Sequence, residues 1–272
     1  MTVRHDRMQW LVALLVLAAL ALSGCSSADP ALEDPLEAPA EDLYNAAANE
    51  LDAGRFDEAA KAFEEVERQH PYSEWATQAQ VMAAYAYYEG DEYDAAIAAA
   101  QRFIELHPGH KSVPYAYYLI ALSNYEQISD VRRDQGMTAR AQEALQEVIQ
   151  RFPNSDYARD AKLKLDLVRD HLAGKEMDIG RYYQRRRQFV GAINRFRAVV
   201  ENYQTTTHVP EALARLTECY LALGVRNEAQ NAAAVLGYNF PGSEWYAYAY
   251  ALLKGESLEP FRDEGSWLAG IF

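Results

Sequence analysis

The sequence feature that most constrains the fold is a short phrase that recurs along the chain. In Phe152-Pro153-Asn154-Ser155 an apolar-periodic run ends, and Pro153 cannot extend a helix because it lacks an N–H and its ring clashes one turn back. Ser155 can then cap the next helix. Closely similar phrases lie at His70-Pro71 and Phe240-Pro241, with weaker ones at His107-Pro108 and Tyr203-Gln204. A junction used five times predicts a repeat protein.

Superposing the five junctions, at positions 71, 108, 153, 204 and 241, brings alanines into register on both sides. Twelve residues before each junction lie Ala59, Ala96, Ala141, Ala192 and Ala229. Eight residues after each junction lie Ala79, Ala116, Ala161, Ala212 and Ala249. Other apolar residues follow at spacings of three and four, which is the pattern of one buried helix face. Each junction therefore joins two amphipathic helices with a small residue at their closest approach.

The fold class predicted from this register is all-α, a tetratricopeptide-repeat solenoid spanning residues 41–255. The intervals between junctions are 37, 45, 51 and 37 residues, and the shorter ones approach the tetratricopeptide period of about 34. Five helical hairpins are expected, followed by a terminal helix from Ser243 to about Lys254. The hairpins are expected at 41–71, 74–108, 112–153, 155–204 and 207–241.

Two repeats are longer than the others. In the third, the extra residues predict a loop at Ser129–Thr138. In the fourth, they predict a longer first helix over 155–187, and the sequence leaves open whether it is continuous or bent near Gly174. Gly54, Gly90 and Gly224 mark the turns inside hairpins, because glycine adopts the left-handed conformation that often ends a helix.

Residues 1–24 have the features of a secretory signal. A basic start precedes the apolar run Trp10–Leu22, whose 13 residues are too few to span a bilayer comfortably. The next residues, Leu22-Ser23-Gly24-Cys25, resemble a bacterial lipobox, which implies lipid attachment to Cys25. An ordinary signal peptide or a short anchor is the alternative. Because Ser26 rather than Asp follows the cysteine, the resemblance implies the periplasmic face of the outer membrane in a Gram-negative bacterium.

The segments that flank the solenoid have no repeat pattern. Residues 25–40 begin with Cys25, and the 15 residues after it carry three prolines, four acids and no aromatic residue, which predicts a disordered tether. The tail 256–272 matches no pattern, and its structure is left open.

Composition and motifs argue against several function classes. A formal net charge of −14 argues against nucleic-acid binding, which needs a basic surface. No catalytic or metal-binding motif is present, and neither an enzymatic activity nor a cofactor is predicted. His70 and His107 occupy the slot before the junction where other copies have aromatic rings, which favours packing over metal binding. Cys219 is expected to be a core thiol, with a catalytic nucleophile as the alternative.

One basic segment stands out in this acidic chain. The 17 residues from Arg181 to Arg197 hold six arginines and no acid. Arginine is common at interfaces because its planar fork pairs bidentately with carboxylates. The alternative is that these arginines pair with acids of adjacent repeats.

Tyrosines are also unusually frequent, 19 in all, and many of them fall between residues 85 and 125. Because adjacent residues cannot share one helix face, only some of them can be core. The others can line a groove for an extended peptide, since tyrosine offers contact area at low entropic cost. The groove candidates are Tyr85, Tyr88, Tyr117 and Tyr118, and packing remains the alternative.

Several segments together resemble the BamD family, the tetratricopeptide lipoproteins of the outer-membrane β-barrel assembly machinery. They are Ala84-Tyr85-Ala86-Tyr87-Tyr88, Arg102-Phe103-Ile104-Glu105-Leu106-His107-Pro108, Arg132-Arg133-Asp134-Gln135, Phe152-Pro153-Asn154-Ser155-Asp156-Tyr157-Ala158, Arg181-Tyr182-Tyr183 and Ala192-Ile193-Asn194-Arg195. The resemblance covers about Leu43 to Trp245. Gly180 departs from the family pattern, where alanine is expected.

The resemblance implies a non-enzymatic subunit with protein partners. Those partners would be the periplasmic domains of the barrel-forming subunit BamA, other Bam lipoproteins, and unfolded outer-membrane proteins received by the N-terminal repeats. Arg195 matches the family position associated with BamA, and Arg181, Arg187 and Arg197 are assigned to the same contact. A periplasmic tetratricopeptide scaffold for envelope or peptidoglycan machinery is the alternative function.

Overall fold

The computed structural model describes residues 38–255, and all the regular structure within that range is helical. The eleven helices are α1 (Ala40–Asp52), α2 (Phe56–Gln69), α3 (Glu74–Glu89), α4 (Tyr93–Leu106), α5 (Val113–Glu126), α6 (Gly136–Arg151), α7 (Asp156–Arg185), α8 (Phe189–Asn202), α9 (Val209–Ala222), α10 (Arg226–Asn239) and α11 (Glu244–Lys254). The signal, Cys25, the tether as far as residue 37 and the tail 256–272 lie outside the described residues.

The helices pair in sequence order as five antiparallel hairpins and a terminal helix, which confirms the predicted fold class. Each odd-numbered helix from α1 to α5 also contacts the next odd-numbered helix, and α9 contacts α11. The even-numbered helices are separated from one another by these neighbours. The odd-numbered helices therefore form the inner layer of the stack.

The repeat alanines lie where the register predicts. All ten are at most 1% exposed, which lets the backbones of paired helices approach closely. The position eight residues before each junction is buried in every copy, with Phe63 and Phe196 filling it in the first and fourth hairpins. Burying one such ring contributes roughly 1.5–3 kcal/mol to folding. The buried apolar residues form four clusters spread along the stack instead of one central core.

Serine caps follow the best copies of the junction. The hydroxyl of Ser155 accepts the Ala158 N–H at 3.1 Å, and Ser73 does the same for Ala76 at 3.0 Å. Ser243 caps α11 through the Trp245 N–H at 3.2 Å. A cap of this kind stabilises a helix by roughly 1 kcal/mol.

In four of the five hairpins, all but the third, the inner turn is closed by one residue in the left-handed conformation. Gly54 and Gly224 have φ of 72° and 76°, as expected. The expectation for Gly90 is wrong, because its φ is −85° and the following residue, Asp91, takes φ of 60°. In the fourth hairpin the left-handed residue is Arg187, with φ of 59°.

Helix α7 runs without interruption through Gly174, so the extra length of the fourth repeat is one continuous 30-residue helix. Gly174 is needed for packing: a Cβ there would lie 3.2 Å from Nε2 of His208 and 3.7 Å from Val131. The chain entering α9 and the loop before α6 thus both approach the middle of α7.

The loop in the third repeat ends earlier than predicted, because α6 begins at Gly136 and not after Thr138. Two polar side chains stabilise this earlier start. Asp134 accepts the Gly136 N–H at 3.0 Å, and the Gln135 amide oxygen accepts the Thr138 hydroxyl at 2.9 Å. Gln135 also contacts Nδ1 of His171 on α7 at 3.1 Å, which fixes the loop against the long helix.

Within residues 38–255, no helix is long and apolar enough to cross a membrane.

Candidate functional site

Five tyrosines from three inner helices lie close together on one surface, called here the tyrosine surface, and ring contacts link four of them, all but Tyr88. They are Tyr85 and Tyr88 on α3, Tyr115 and Tyr118 on α5, and Tyr157 on α7. The rings of Tyr85 and Tyr115 lie 6.5 Å apart, and the ring of Tyr157 lies 5.5 Å from Tyr115 and 5.3 Å from Tyr118. All five side chains are partly buried, so each ring packs while keeping part of its area open.

Acids surround the tyrosine surface. Tyr118 donates its hydroxyl to Asp160, and burial together with the nearby Glu89 raises the pKa of Tyr85. Burial, with added repulsion from Glu126 and Glu89, raises the pKa of Tyr88 to about 12. Burial also raises the pKa of Tyr118, and its bond to Asp160 raises it further. These hydroxyls therefore remain protonated donors at neutral pH.

The four groove candidates do not share one surface. Tyr85, Tyr88 and Tyr118 belong to the tyrosine surface, whereas Tyr117 lies at the junction after α6. Its ring is 5.4 Å from that of Phe152, and the Arg151 guanidinium stands 5.1 Å over it. Tyr117 therefore packs the core between hairpins.

Sequence reasoning left Tyr115 and Tyr157 out of the candidate groove. The spacing of three residues between Tyr115 and Tyr118 was a usable signal, because residues three apart share a helix face. Tyr157 had no such local signal, since it lies two repeats away from Tyr85.

The candidate partner-binding arginines lie on α7, on α8 and in the turn between them, and three of them have partners inside the chain. Arg181 donates to Glu211 on α9 at 2.9 Å, and the Glu211 side chain is only 5% exposed. Arg215 also pairs with Glu211, at 3.3 Å. Arg195 binds Glu176 on α7 at 3.1 Å, with its own side chain 42% exposed. For Arg181 and Arg195, pairing with acids of the same chain is thus observed.

Arg197 and Arg187 have different surroundings. Arg197 donates to the Tyr220 hydroxyl at 2.8 Å and lies 3.9 Å from Glu201, which raises the pKa of its guanidinium. Arg187 lies in the exposed turn between α7 and α8 and makes no side-chain hydrogen bond or ion pair with any residue from 38 to 255.

The titratable groups weighed as catalytic or metal-binding candidates have structural positions. Cys219 is fully buried on α9, and burial raises the pKa of its thiol to about 12, so it is a protonated core residue at neutral pH. The ring of His107 lies 5.4 Å from that of Phe103 at the end of α4. His70 ends α2, with Nε2 2.9 Å from the Ala38 carbonyl oxygen. The part of the chain that the structure describes holds no cluster of three or more potential metal ligands.

The paired helices, with the small and aromatic positions of the repeat buried, define a tetratricopeptide-repeat protein. The family model described as YfiO, an outer membrane lipoprotein, matches residues 36–236. The chain belongs to the BamD family of outer membrane protein assembly factors. It is 52% identical over 247 residues to the outer membrane protein assembly factor BamD of Caulobacter vibrioides, covering 90% of this chain and 81% of that one. It is 46% identical over 244 residues to that of Rickettsia prowazekii, covering 90% and 96%.

Solved structures resemble the chain more distantly. A thermophilic tetratricopeptide protein from Thermus thermophilus aligns over 79% of this chain and 100% of its own, with 20% identity and a TM-score of 0.38. The MamA protein aligns over 81% and 98%, with 19% identity and a TM-score of 0.37. The fold assignment rests on the helix pairing itself.

Proposed function

We propose that the chain is a non-enzymatic, lipid-anchored subunit of the outer-membrane β-barrel assembly machinery. In this role it binds unfolded outer-membrane proteins on its inner layer and BamA through its C-terminal half. The observation that carries the proposal is the tyrosine surface, which runs without a break across α3, α5 and α7.

The tyrosine surface suits an extended, partly apolar chain. Its rings offer contact area to apolar side chains, and its protonated hydroxyls and neighbouring carboxylates can bond to the unsatisfied backbone of an unfolded segment. Because three separate helices supply the rings, a bound segment would contact two or more hairpins at once. An α-solenoid with such an inner layer is well suited to recognition of extended chains.

The arginines of α7 and α8 support the second part of the proposal. Arg195 keeps 42% of its side chain exposed although it pairs with Glu176, and Arg187 has no partner within residues 38–255. Both can bind carboxylates on a BamA periplasmic domain. Arg181 and Arg197 already bond to Glu211 and Tyr220 of α9. They would support this surface by positioning α7 and α8 against α9.

The N-terminal anchor completes the proposed arrangement. Lipid attachment to Cys25 would hold the solenoid at the periplasmic face of the outer membrane, and the tether 25–40 would set its reach. Other Bam lipoproteins would then be neighbours at the same membrane.

Co-purification after mild detergent extraction tests the proposed function. The wild-type chain is expected to recover a large barrel protein with periplasmic domains, whereas Cys25→Ala should appear in the soluble fraction. Recovery of cell-wall or division proteins in place of the barrel protein would support the alternative scaffold role and refute this one.

A further inference from the structure

The turn between α7 and α8 presents three consecutive arginines to solvent. Arg185, Arg186 and Arg187 are all exposed, and no carboxylate within residues 38–255 pairs with any of them. Within residues 38–255 nine arginines pair with a carboxylate, and this is the one place where three consecutive arginines do not. The positive charge of this turn is therefore not neutralised by the described part of the fold.

The backbone of the turn adds an independent observation. Arg187 adopts φ of 59°, in the left-handed region, at the position where the first and fifth hairpins place Gly54 and Gly224. A residue with a Cβ pays roughly 1–2 kcal/mol for this conformation. Glycine would close the turn at lower cost, and the Arg187 side chain makes no hydrogen bond or ion pair within residues 38–255 that would offset the difference. Folding alone does not account for an arginine here.

Apolar and aromatic groups flank the three arginines. The Arg186 guanidinium stacks 4.5 Å over the ring of Tyr182, which is 44% exposed, and Val190 is 64% exposed on the first turn of α8. Arginine and tyrosine are enriched at the hot spots of protein interfaces, and here they lie beside an exposed apolar side chain.

From these observations we infer that residues 182–190, called here the arginine turn, bind an acidic segment of a partner protein. Carboxylates of that segment would pair bidentately with Arg185 and Arg187, and an apolar residue beside them would cover Tyr182 and Val190. This inference rests on the proposed function, and it extends the contact assigned to Arg187 to Arg185, Tyr182 and Val190. An anionic lipid surface fits less well, because juxtamembrane lipid-binding segments usually carry four to eight basic residues and this turn carries three.

The test places the photo-crosslinking amino acid benzoylphenylalanine at position 190 of the full-length chain in its own cells. The crosslinked peptide is identified by mass spectrometry, and its yield is compared in Arg185→Gln/Arg187→Gly and in Arg159→Gln. Arg159 is a matched control because it is an exposed arginine of α7 that pairs only with Asp156. Arg187→Gly relieves the left-handed strain, so the double variant is expected to unfold at no lower a temperature than wild type.

The expected photoproduct joins the turn to a protein segment with at least two carboxylates near the crosslink. Its yield should fall at least about tenfold in the double variant, the effect of losing one charge-assisted hydrogen bond, and stay unchanged in Arg159→Gln. A lipid adduct, a segment without carboxylates, or an undiminished yield in the double variant would overturn the inference. Recovery of the large barrel protein by the wild-type chain, scored in the same extract, tests the proposed function separately.

Discussion

Asp170, in the middle of α7, holds Thr207 at the start of the chain segment leading into α9. One carboxylate oxygen of Asp170 accepts both the backbone N–H of Thr207, at 3.0 Å, and its hydroxyl, at 2.8 Å. The other oxygen lies 3.5 Å from Nε2 of His208. Asp170 is 6% exposed, so the two bonds from Thr207 replace part of the water that the carboxylate loses on folding, while its second oxygen makes no hydrogen bond within residues 38–255. The long helix is thereby joined to the fifth hairpin.

Replacing Asp170 by alanine is expected to destabilise the protein by about 1–3 kcal/mol, because both hydrogen bonds from Thr207 to a buried carboxylate are lost. Urea unfolding of the two proteins measures the difference. Asp166→Ala is the matched control, since Asp166 is an exposed acid on the same helix. Equal midpoints for the Asp170 and Asp166 variants would show that the joint contributes nothing.

Gly180 is expected to resist the substitution that the family pattern suggests. A Cβ built there would lie 2.8 Å from Cδ1 of Phe196 and closer still to Cε1, and the ring is fully buried. Gly180→Ala should therefore cost about 1–3 kcal/mol in spite of the better helix propensity of alanine. Phe196→Leu replaces the ring by two methyl groups. In that background Gly180→Ala should cost less. Additive losses in the double variant would contradict direct overlap.

The buried tyrosines predict a loss of stability in alkali. Burial raises the pKa of Tyr88 to about 12, above the ordinary value of 10, so the unfolded chain releases this proton first. The contribution of Tyr88 is fully present below pH 10 and is lost as the pH rises from 10 towards 12. Urea unfolding between pH 8 and 11 should show the decline, and Tyr88→Phe should reduce its slope. Tyr72, whose side chain is fully exposed, supplies the control Tyr72→Phe, which should leave the slope unchanged.

Arg195→Glu should weaken capture of BamA without unfolding the chain. The substitution breaks the ion pair with Glu176. Because the Arg195 side chain is 42% exposed, this pair contributes at most about 1 kcal/mol to the free energy of unfolding. A reversed charge facing a partner carboxylate is expected to cost more than the lost pair. The amount of BamA recovered after detergent extraction is the measurement, with Arg159→Glu as control. Unchanged recovery would remove Arg195 from the interface.

The repeat register could be derived from sequence because it depends on residue size at fixed helical spacings. Ala192 and Phe196 show this: their spacing of four places both on the buried face of α8, whatever lies outside the repeat. The Ser155 cap was equally local. The left-handed residues of two turns were not local signals: the sequence pointed to Gly90, whereas Asp91 takes that conformation, and nothing marked Arg187.

The candidate surfaces were less accessible to sequence reasoning, because their contacts join distant segments. Arg181 and Glu211 are 30 residues apart, and only the packing of α9 beside α7 shows that they pair. The separation of Tyr117 from Tyr118 follows from the 100° rotation between adjacent helical residues. That rotation predicts different faces, but only the structure shows which face meets Tyr157.

Depletion of the chain in its own cells tests the central claim most directly. The account predicts that folded outer-membrane barrel proteins, recognised by their altered gel mobility before and after heating, decline while their unfolded precursors accumulate in the periplasm. Wild-type chain should restore them, and a variant with Tyr85, Tyr115 and Tyr118 changed to serine should not, provided that it is recovered at the wild-type level and folded. Normal levels of folded barrel proteins during depletion, accompanied by defects in the cell wall alone, would contradict the account.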